Sequence, residues 1–355
     1  MDKTLIAMSG GVDSAVAAYL IKKDGGDACG ITLKLISDGM DGLSPSCCTE
    51  QDIKDAQAIA KKLDMPHYLF NFCENFRECV IDKFVNTYLQ GGTPNPCIDC
   101  NRYVKFAEVL EKAEEMGFSH IATGHYAICE YDKKRGRFLL KKAVDESKDQ
   151  SYVLYSLTQE QLAKIKFPLG KLTKAEVRKI AEENNFINAE KAESQDICFI
   201  KDGNYASFIE HYIGQSSKPG DFVDTKGNVL GKHKGHIHYT IGQRKGLGLA
   251  VPESVYVLKK DINTNVVTVD TKEHLFKDEL YADDVNLISC DEITDGMEVS
   301  VRTRYQQKET PAKLYKAGEN KALVKFETPV KAIAPGQAVV FYDDDIVVGG
   351  GTITN

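Results

Sequence analysis

A glycine-rich turn near the start of the chain combines residue types that bind phosphate. An apolar run, Thr4 to Met8, leads into Ser9-Gly10-Gly11-Val12-Asp13-Ser14, and a helix-like, alanine-rich run follows. Paired glycines let a backbone turn sharply and approach an anion closely, and the positive end of the following helix favours negative charge. The spacing differs from GxxxxGK[ST], which argues against a common kinase or GTPase. The order of strand, turn and helix predicts an anion site, with an ordinary turn opening an α/β unit as the alternative.

Two cysteines lie in a proline-rich segment that could do thiol chemistry. Residues 93–101 read TPNPCIDCN, and the two prolines make this a stiff loop. We predict a helix from Arg102, so Cys100 would lie just before a helix N-terminus, where the thiolate is favoured. Inert structural cysteines are one alternative. Half of a zinc site is another, although a structural zinc needs four ligands and CxxC supplies two.

A further cysteine, Cys198, follows the polar run Glu193-Ser194-Gln195-Asp196. Taken alone it would be a core residue, because cysteine is among the most frequently buried residue types. Cys198 becomes a candidate functional residue because the same chain also contains an anion loop and a second cysteine segment.

Composition limits the classes of protein that fit. The chain has 355 residues, 42% hydrophobic and 27% charged, which is enough for two or three domains. No stretch approaches a membrane span and no signal core precedes the first strand, so we expect a cytoplasmic protein. Ten cysteines in that compartment favour thiols or metal ligands over a disulfide framework. A net charge of -7 argues against general nucleic-acid binding, although a local basic surface would still allow it.

Up to about residue 200, predicted strands alternate with predicted helices. These elements must position the candidate residues. The predicted strands after the first are Ala28–Leu35, His67–Phe72 and Ser119–Thr123, and the predicted helices are Glu50–Leu63, Asn75–Leu89 and Arg102–Met116. This pattern predicts a parallel sheet with helices on both faces. Ligands of such sheets bind outside the carboxyl ends of the strands, where Ser9–Ser14, Leu33 and Gly124-His125 fall.

The pattern of residue types in the sequence changes after about residue 203. Short β-rich runs such as Val266–Val269 and Ala338–Tyr342 alternate with Gly, Asp and Asn turns, which predicts one or two small β domains. We place a linker at Lys201–Asn204 and a second boundary at Asp270–Asp278. Lys133-Lys134-Arg135 is predicted to be a hairpin turn.

The ordered set of motifs resembles a known family. The SGGxDS turn resembles the PP-loop of ATP pyrophosphatases, which split ATP to AMP and pyrophosphate and adenylate an acceptor oxygen. Together with the cysteine segments, the whole set resembles the tRNA-specific 2-thiouridylases, the MnmA family. The further motifs are GHYA at 124–127, KDQSY at 148–152, YTIGQRKGLG at 239–248, RY at 304–305 and APGQA at 334–338.

This resemblance implies both an architecture and a reaction. An α/β PP-loop domain of the adenine nucleotide alpha hydrolase type would be followed by a small central β-rich domain and a C-terminal β-barrel, which we place at residues 1–203, 204–272 and 273–355. The enzyme would be a tRNA-uridine 2-sulfurtransferase. It would adenylate the C-2 oxygen of the wobble uridine with ATP and Mg²⁺ and then transfer a persulfide sulfur, giving 2-thiouridine, AMP and pyrophosphate. Its partners would be tRNAs of the Lys, Glu and Gln type and a sulfur donor, either a cysteine desulfurase or a relay protein.

The resemblance also assigns roles to residues. Cys198 would carry the persulfide and Cys100 would be the second catalytic cysteine, the nucleophile. Asp13 would help to hold Mg²⁺, with a helix cap as the alternative. The ATP-binding residues would be Ala7, Met8, Ser9, Gly10, Gly11, Val12, Asp13, Ser14, Leu33 and Gly124. The target base would meet Asn95, Pro96 and Cys97. The tRNA contacts would be His125, Lys148, Asp149, Gln150, Arg304, Tyr305 and Gln337.

One position departs from the family pattern and several alternatives stay open. Where many members carry an acidic residue, this chain has Cys97. Cys97, Cys100 and Cys198 could also be three ligands of an iron–sulfur cluster with one open iron, as in some related tRNA thiolases. A PP-loop amide ligase and a non-enzymatic RNA-binding module are the competing functions. His233, His236 and His238 suggest a metal site, but the neighbouring glycines favour a β-turn region.

Overall fold

A computed structural model describes residues 3–37, 49–191, 197–200 and 203–354. Residues 192–196 and the linker residues Lys201 and Asp202 lie outside the described ranges. The chain divides into two compact units. The first consists of Met1–Ile81, Pro96–Gly203 and Asp345–Val348, and the second of Asp82–Asn95, Asn204–Asp344 and Gly349–Asn355.

The first unit contains a parallel sheet, as predicted. Its strands are β1 (Lys3–Ala7), β2 (Asp27–Lys34), β3 (His67–Asn71), β4 (His120–Ala122) and β7 (Ile165–Lys166). They lie in the order β3-β2-β1-β4-β7, with Ile6 opposite both Gly30 and Ala122. Leu5 and Ile6 are both fully buried. Because neighbouring residues of a strand point to opposite faces, both faces of the sheet are covered at β1.

Three helices of the first unit share one hydrophobic cluster with this sheet. They are α1 (Val12–Lys23), α2 (Glu50–Lys62) and α8 (Lys174–Glu183). The start of α2 is fixed by a capping box, in which Thr49 and Asp52 satisfy each other's backbone amides. That local signal explains why the predicted and observed starts of this helix agree at Glu50.

The helix after the proline-rich segment begins earlier than predicted. A short helix α5 (Pro96–Asp99) continues into a π-helical segment, Cys100–Glu108, and then into α6 (Val109–Glu115). The predicted start at Arg102 was therefore wrong. Proline suits the first position of a helix, because the amide it lacks has no helical partner there. Cys100 consequently lies one turn inside the helical stretch and not before it.

A second interrupted helical stretch follows β3. It comprises α3 (Cys73–Phe76), a π-helical segment (Arg77–Asp82) and α4 (Lys83–Leu89), where a single helix Asn75–Leu89 was predicted. Two aromatic residues of α4 pack on α9 (Tyr205–Ile213) in the second unit. The ring centroids of Phe84 and Phe208 are 6.3 Å apart, and those of Tyr88 and Tyr205 are 4.7 Å apart and stacked.

The remaining elements of the first unit are short. The hairpin of β5 (Ile128–Asp132) and β6 (Arg137–Lys141) confirms the predicted turn, in which the Asp132 carboxylate accepts the amides of Lys134 and Arg135. Helix α7 spans Gln159–Lys164. None of the helices within the described ranges is long and apolar enough to cross a membrane.

The second unit carries the predicted β-rich domains. A four-stranded sheet has the order β10-β11-β8-β9, and its strands are β8 (Gly220–Val223), β9 (Val229–His233), β10 (Tyr256–Asp261) and β11 (Val266–Asp270). The C-terminal strands are β12 (Phe276–Leu287), β13 (Met297–Arg302), β14 (Thr310–Gly318), β15 (Lys321–Lys331), β16 (Ala338–Asp343) and β17 (Ile346–Ile353). These pair antiparallel, and β12 pairs with both β15 and β17, which closes a barrel.

Candidate functional site

The glycine turn between β1 and α1 has the geometry of an anion site. Gly10 adopts a left-handed φ of +75°, and Gly11 is the N-cap of α1 with no side-chain hydrogen bond to the helix. The Ser14 hydroxyl accepts the Ser9 amide at 3.2 Å and donates to the Gly11 carbonyl at 2.9 Å. The first-turn amides of α1 are therefore without a side-chain cap, and they can bind an anion.

The strand ends predicted to converge do lie at one edge of the sheet. Strands β2 and β4 flank β1 and run parallel to it, so Leu33 and Gly124 share the carboxyl edge with the glycine turn. A Cβ at Gly124 would lie 2.9 Å from the Ser14 amide nitrogen. Glycine at that position thus lets the end of β4 lie directly against the start of α1.

Asp13 is ion-paired and does not cap the helix. Its two carboxylate oxygens accept Lys174 Nζ at 2.7 and 2.8 Å, and one of them also accepts the Tyr126 hydroxyl at 2.7 Å. Gly11 holds the N-cap position, so the helix-cap alternative for Asp13 was wrong. Direct binding of Mg²⁺ by this carboxylate would require the pair with Lys174 to open. Apart from the Asp13 carboxylate, the turn presents backbone amides and hydroxyl groups. These donors suit phosphate oxygens better than they suit a cation.

A second lysine fixes the other side of the turn. Lys191 Nζ contacts the carboxylates of Asp52 and Asp55 at 2.6 and 2.7 Å and donates to the Gly10 carbonyl at 3.2 Å. The Asn188 amide donates to the same carbonyl at 3.0 Å. Partial burial alone would raise the pKa of Asp52. Hydrogen bonds from Lys191 and Thr49 outweigh this effect and hold the pKa below its ordinary 3.8. The turn is thereby held between α2 and the residues that follow α8.

The cysteine segments lie in the same unit as the glycine turn. Cys100 is buried, Cys198 is half-buried and Cys97 is exposed. Phe199, which follows Cys198, packs edge-to-face on Phe76 at 5.8 Å between ring centroids. Helix α3, which contains Phe76, contacts the π-helical segment that begins at Cys100. Both cysteines are thus joined to α3 through neighbouring residues.

The segment after Cys100 also reaches the end of β4. Phe106 and His125 have ring centroids 5.5 Å apart, and Phe167 packs on both rings. His125 Nδ1 lies 2.8 Å from the Thr123 hydroxyl. Burial, assisted by the charge of Lys105, holds the pKa of His125 well below 6.5, so this ring is neutral at neutral pH.

Among the residues that the structure describes, the metal sites left open by the sequence are not assembled. Within the described ranges, which include Cys97, Cys100 and Cys198, no three His, Cys, Asp or Glu side chains lie together as metal ligands would. The three histidines of the central domain have other partners. His233 lies 3.1 Å from the Asn265 carbonyl, His236 lies 3.2 Å from the Leu89 carbonyl, and His238 lies 3.1 Å from the Glu210 carboxylate.

Three family models match successive parts of the chain. They are described as the tRNA methyl transferase HUP domain (residues 2–202), the tRNA methyl transferase PRC-barrel domain (206–271) and the Aminomethyltransferase beta-barrel domain (277–353). The tRNA-specific 2-thiouridylase MnmA 1 of Thermoanaerobacter sp. (strain X514) is 49% identical over 355 residues, covering 99% of this chain and 98% of that protein. The tRNA-specific 2-thiouridylase MnmA of Acetivibrio thermocellus is 48% identical over 354 residues, 99% of each chain.

The chain belongs to the MnmA family of tRNA-specific 2-thiouridylases. This confirms the resemblance drawn from the motifs, and with it the order of a HUP-type α/β domain, a PRC-barrel domain and a C-terminal β-barrel. A solved 4-thiouridine synthetase–RNA complex with bound ATP is 17% identical over 60% of this chain and 50% of that chain, with a TM-score of 0.35, a likeness too slight to bear on the site. The bounds that we gave to the three domains stay predictions.

Several residues that the MnmA resemblance assigns to tRNA are engaged within the first unit. The Asp149 carboxylate is buried and accepts the amides of Ala143 and Ser151 at 3.1 and 3.2 Å. The Gln150 side chain accepts the Tyr126 amide at 2.9 Å. Lys148 is half-buried. Asp149 and Gln150 therefore shape the segment around Lys148, and direct contact with tRNA stays a prediction for all three.

In the second unit, Arg304 and Gln337 each hold backbone carbonyls. Arg304 donates to Ile241 and Ala332 at 2.8 and 3.0 Å. Gln337 donates to Thr93 at 2.9 Å and to Pro94 at 3.4 Å. Tyr305, by contrast, is 38% exposed. Contact with tRNA stays a prediction for Arg304, Tyr305 and Gln337.

Sequence reasoning missed the residues that surround the glycine turn in space. Lys174 and Lys191 lie 161 and 181 residues from their partners Asp13 and Gly10. The capping signal Thr173-x-x-Glu176 marks the start of α8, and hence places Lys174 in the first turn of a helix. No spacing in the sequence indicates that this turn meets α1.

Proposed function

We propose that this protein is a tRNA-uridine 2-sulfurtransferase that converts the wobble uridine of Lys-, Glu- and Gln-type tRNAs to 2-thiouridine in the cytoplasm. One observation carries the proposal. The unit that holds the phosphate-type turn also holds Cys100 and Cys198, and both cysteine segments are joined to α3. A PP-loop amide ligase needs the turn but has no use for the thiols. Relatives 48–49% identical over the whole chain are named as 2-thiouridylases, which supports the same choice.

The first chemical step would be activation of the uridine. The C-2 carbonyl is urea-like and its oxygen leaves poorly, so attack of that oxygen on the α-phosphate of ATP would make it part of a good leaving group. The α1 amides and the Ser14 hydroxyl would bind the pyrophosphate that departs. Mg²⁺ bound with ATP would screen the phosphate charges. Lys174, now paired with Asp13, lies in position to compensate charge at the same helix end.

The second step would be transfer of sulfur. The terminal sulfur of a Cys198 persulfide attacks C-2, and AMP leaves with the former C-2 oxygen. The Cys100 thiolate then attacks the inner sulfur of Cys198, the sulfur–sulfur bond breaks, and its electron pair leaves on the thiouridine sulfur. Alternatively, Cys100 first displaces hydrosulfide from the persulfide, and hydrosulfide attacks C-2. Both routes end in a Cys100–Cys198 disulfide, which a thiol reductant must reduce before a donor protein reloads Cys198.

The target base would lie against Asn95, Pro96 and Cys97, at the start of α5. Cys97 is exposed there. The base must leave its stack to reach the site, which an anticodon loop permits at modest cost. Lys148 and Arg304 would serve phosphate oxygens, and Tyr305 would stack on a base. His125, Asp149, Gln150 and Gln337 would support this tRNA surface from behind, because the first two are buried and the last two hold backbone groups.

The decisive experiment is transfer of labelled persulfide sulfur to transcripts that carry a wobble uridine. Wild-type protein should incorporate label only with ATP, while Cys100→Ser and Cys198→Ser should abolish incorporation and leave ATP binding intact. Cys290→Ser is the matched control, because Cys290 is half-buried like Cys198 but lies in the second unit. Normal adenylation chemistry by Cys198→Ser on an acceptor other than tRNA would favour the ligase instead.

Two further measurements separate the remaining alternatives. Mass spectrometry of digested tRNA distinguishes replacement of oxygen by sulfur from addition of a methyl group, the reaction named in two of the family models. Anaerobic purification with iron and sulfide analysis tests the cluster. A metal-free protein with full thiolation activity would eliminate the iron–sulfur alternative.

A further inference from the structure

Four of the six residues before Asn95 are bound through their carbonyl groups by side chains that come much later in the chain. Three polar side chains of the second unit make these contacts, which we term the carbonyl clamp. Lys260 donates to Gly92 at 3.3 Å, Gln337 donates to Thr93 at 2.9 Å and to Pro94 at 3.4 Å, and His236 Nε2 lies 3.2 Å from the Leu89 carbonyl.

Backbone contacts hold the same segment at close range. The Thr93 amide donates to the Pro335 carbonyl at 2.8 Å. A Cβ at Gly336 would lie 3.0 Å from the Thr93 nitrogen, and one at Gly92 would lie 2.8 Å from the Thr87 methyl carbon. The two glycines therefore permit an approach that other residues would prevent, and the clamp acts on a backbone that is already closely packed.

Lys260 is the unusual member of the clamp. It is the only one that carries a full charge at neutral pH, and its acceptors are the carbonyls of Gly92 and Tyr239 rather than a carboxylate. Its ammonium group also lies 5.8 Å from the centre of the Tyr88 ring. Burial lowers the pKa of Lys260 to about 8. Burial therefore disfavours the charged form of Lys260, and replacing a buried charge by an apolar side chain of similar volume is often neutral for stability.

We propose that Lys260 is a positioning residue for thiolation, and that the carbonyl clamp sets the position of Asn95, the first of the residues assigned to the target base. The inference rests on the proposed function. Asn95 follows the clamped residue Pro94 directly and belongs to the same unit, so a shift of the clamped carbonyls would move the first residue assigned to the target base. An error of about 1 Å at a reacting group can reduce a rate about a hundredfold, so a small displacement of this segment should be measurable as a loss of rate.

The test compares Lys260→Met with Lys259→Met. Lys259 is the exposed neighbour on β10, so its variant controls for loss of one positive charge near the same place. For Lys260→Met we expect the single-turnover thiolation rate to fall by about ten- to a hundredfold. ATP affinity should be unchanged and the melting temperature should be no lower than in the wild type. Lys259→Met should match the wild type in all three.

Two additional measurements make the result specific. Gln337→Ala acts on the same segment, so the double variant should lose less rate than the product of the two single losses. Hydrogen exchange at the Thr93 amide should accelerate in Lys260→Met and not in Lys259→Met, and this readout needs no tRNA. The inference is overturned by a wild-type thiolation rate in Lys260→Met, by a rate loss matched by lower thermal stability, or by unchanged exchange at Thr93. A wild-type protein that fails to thiolate tRNA would instead refute the proposed function.

Discussion

Alanine at Gly10 should damage the phosphate-type turn far more than alanine at a glycine of the same backbone conformation. Gly10 has a φ of +75° and Gly25, just after α1, has a φ of +78°. The two substitutions therefore carry the same left-handed backbone strain. They differ in space, because a Cβ at Gly25 meets nothing within 4 Å whereas one at Gly10 meets the backbone of Asp52.

The magnitude follows from that difference. Left-handed strain costs about 1–2 kcal/mol for an L-residue, and this is the whole effect expected for Gly25→Ala. At Gly10 the added Cβ would lie 2.7 Å from Asp52 Cα and 2.8 Å from its carbonyl carbon, separations that real Cβ atoms essentially never show. The first turn of α2 cannot rotate away as a side chain could. Overpacking adds about 1–3 kcal/mol, so Gly10→Ala should cost about 2–5 kcal/mol in all.

Relief of this clash should also weaken nucleotide binding. The turn can escape Asp52 only by moving away from α2, which breaks the contacts of the Gly10 carbonyl with Asn188 and Lys191. We expect ATP affinity to fall at least about tenfold, which corresponds to about 1.4 kcal/mol. Calorimetric unfolding measures the stability difference, and isothermal titration with ATP measures the affinity. If Gly10→Ala is no less stable than Gly25→Ala, or binds ATP like the wild type, the assigned role of the turn is wrong.

Three further predictions concern the surroundings of the turn and the thiols. Lys191→Met leaves the carboxylates of Asp52 and Asp55, which are 16% and 10% exposed, without their shared cation. It should cost about 1–3 kcal/mol after allowance for solvent screening, as measured by urea unfolding. The folded-state pKa of Asp52 is below the unfolded 3.8, so its contribution to stability is present above pH 3.8 and is lost as the pH falls through the folded value. When the urea midpoint is measured at successively lower pH, Asp52→Asn should accordingly lose less stability than the wild type does. Finally, an alkylating reagent at mildly alkaline pH should label the exposed Cys97 well before Cys29, whose pKa burial raises to about 11; equal labelling by peptide mass spectrometry would contradict the structure.

Most strands and helices of the α/β domain are predictable because each carries a local signal. The observed bounds of β2 and α2 differ from the predicted ones by one residue at each end or less. The capping residue Thr49 and an apolar run of strand length fix them. The predicted helix start at Arg102 was wrong because Pro94 and Pro96 were interpreted together as a stiff loop, although a proline also suits a helix start.

The site was predictable only where it is continuous in sequence. The turn at Ser9–Ser14 carries its own glycines and hydroxyls, so its role could be inferred from residue type. The ion pair between Asp13 and Lys174 depends on how α8 packs on α1, and no periodicity reports that. The same holds for Gln337, whose contact with Thr93 spans 244 residues.

The packing of α4 on α9 bears on how the protein can be made and divided. Phe84 and Tyr88 are encoded within the first hundred residues, but the rings that cover them, Tyr205 and Phe208, follow the α/β domain in the chain. During translation the rings of Phe84 and Tyr88 therefore stay exposed to water or bound by a chaperone until residue 208 has left the ribosome. A fragment that ends at residue 203 would keep them uncovered permanently. Such a fragment should be prone to aggregate, even though it contains every residue assigned here to ATP and sulfur.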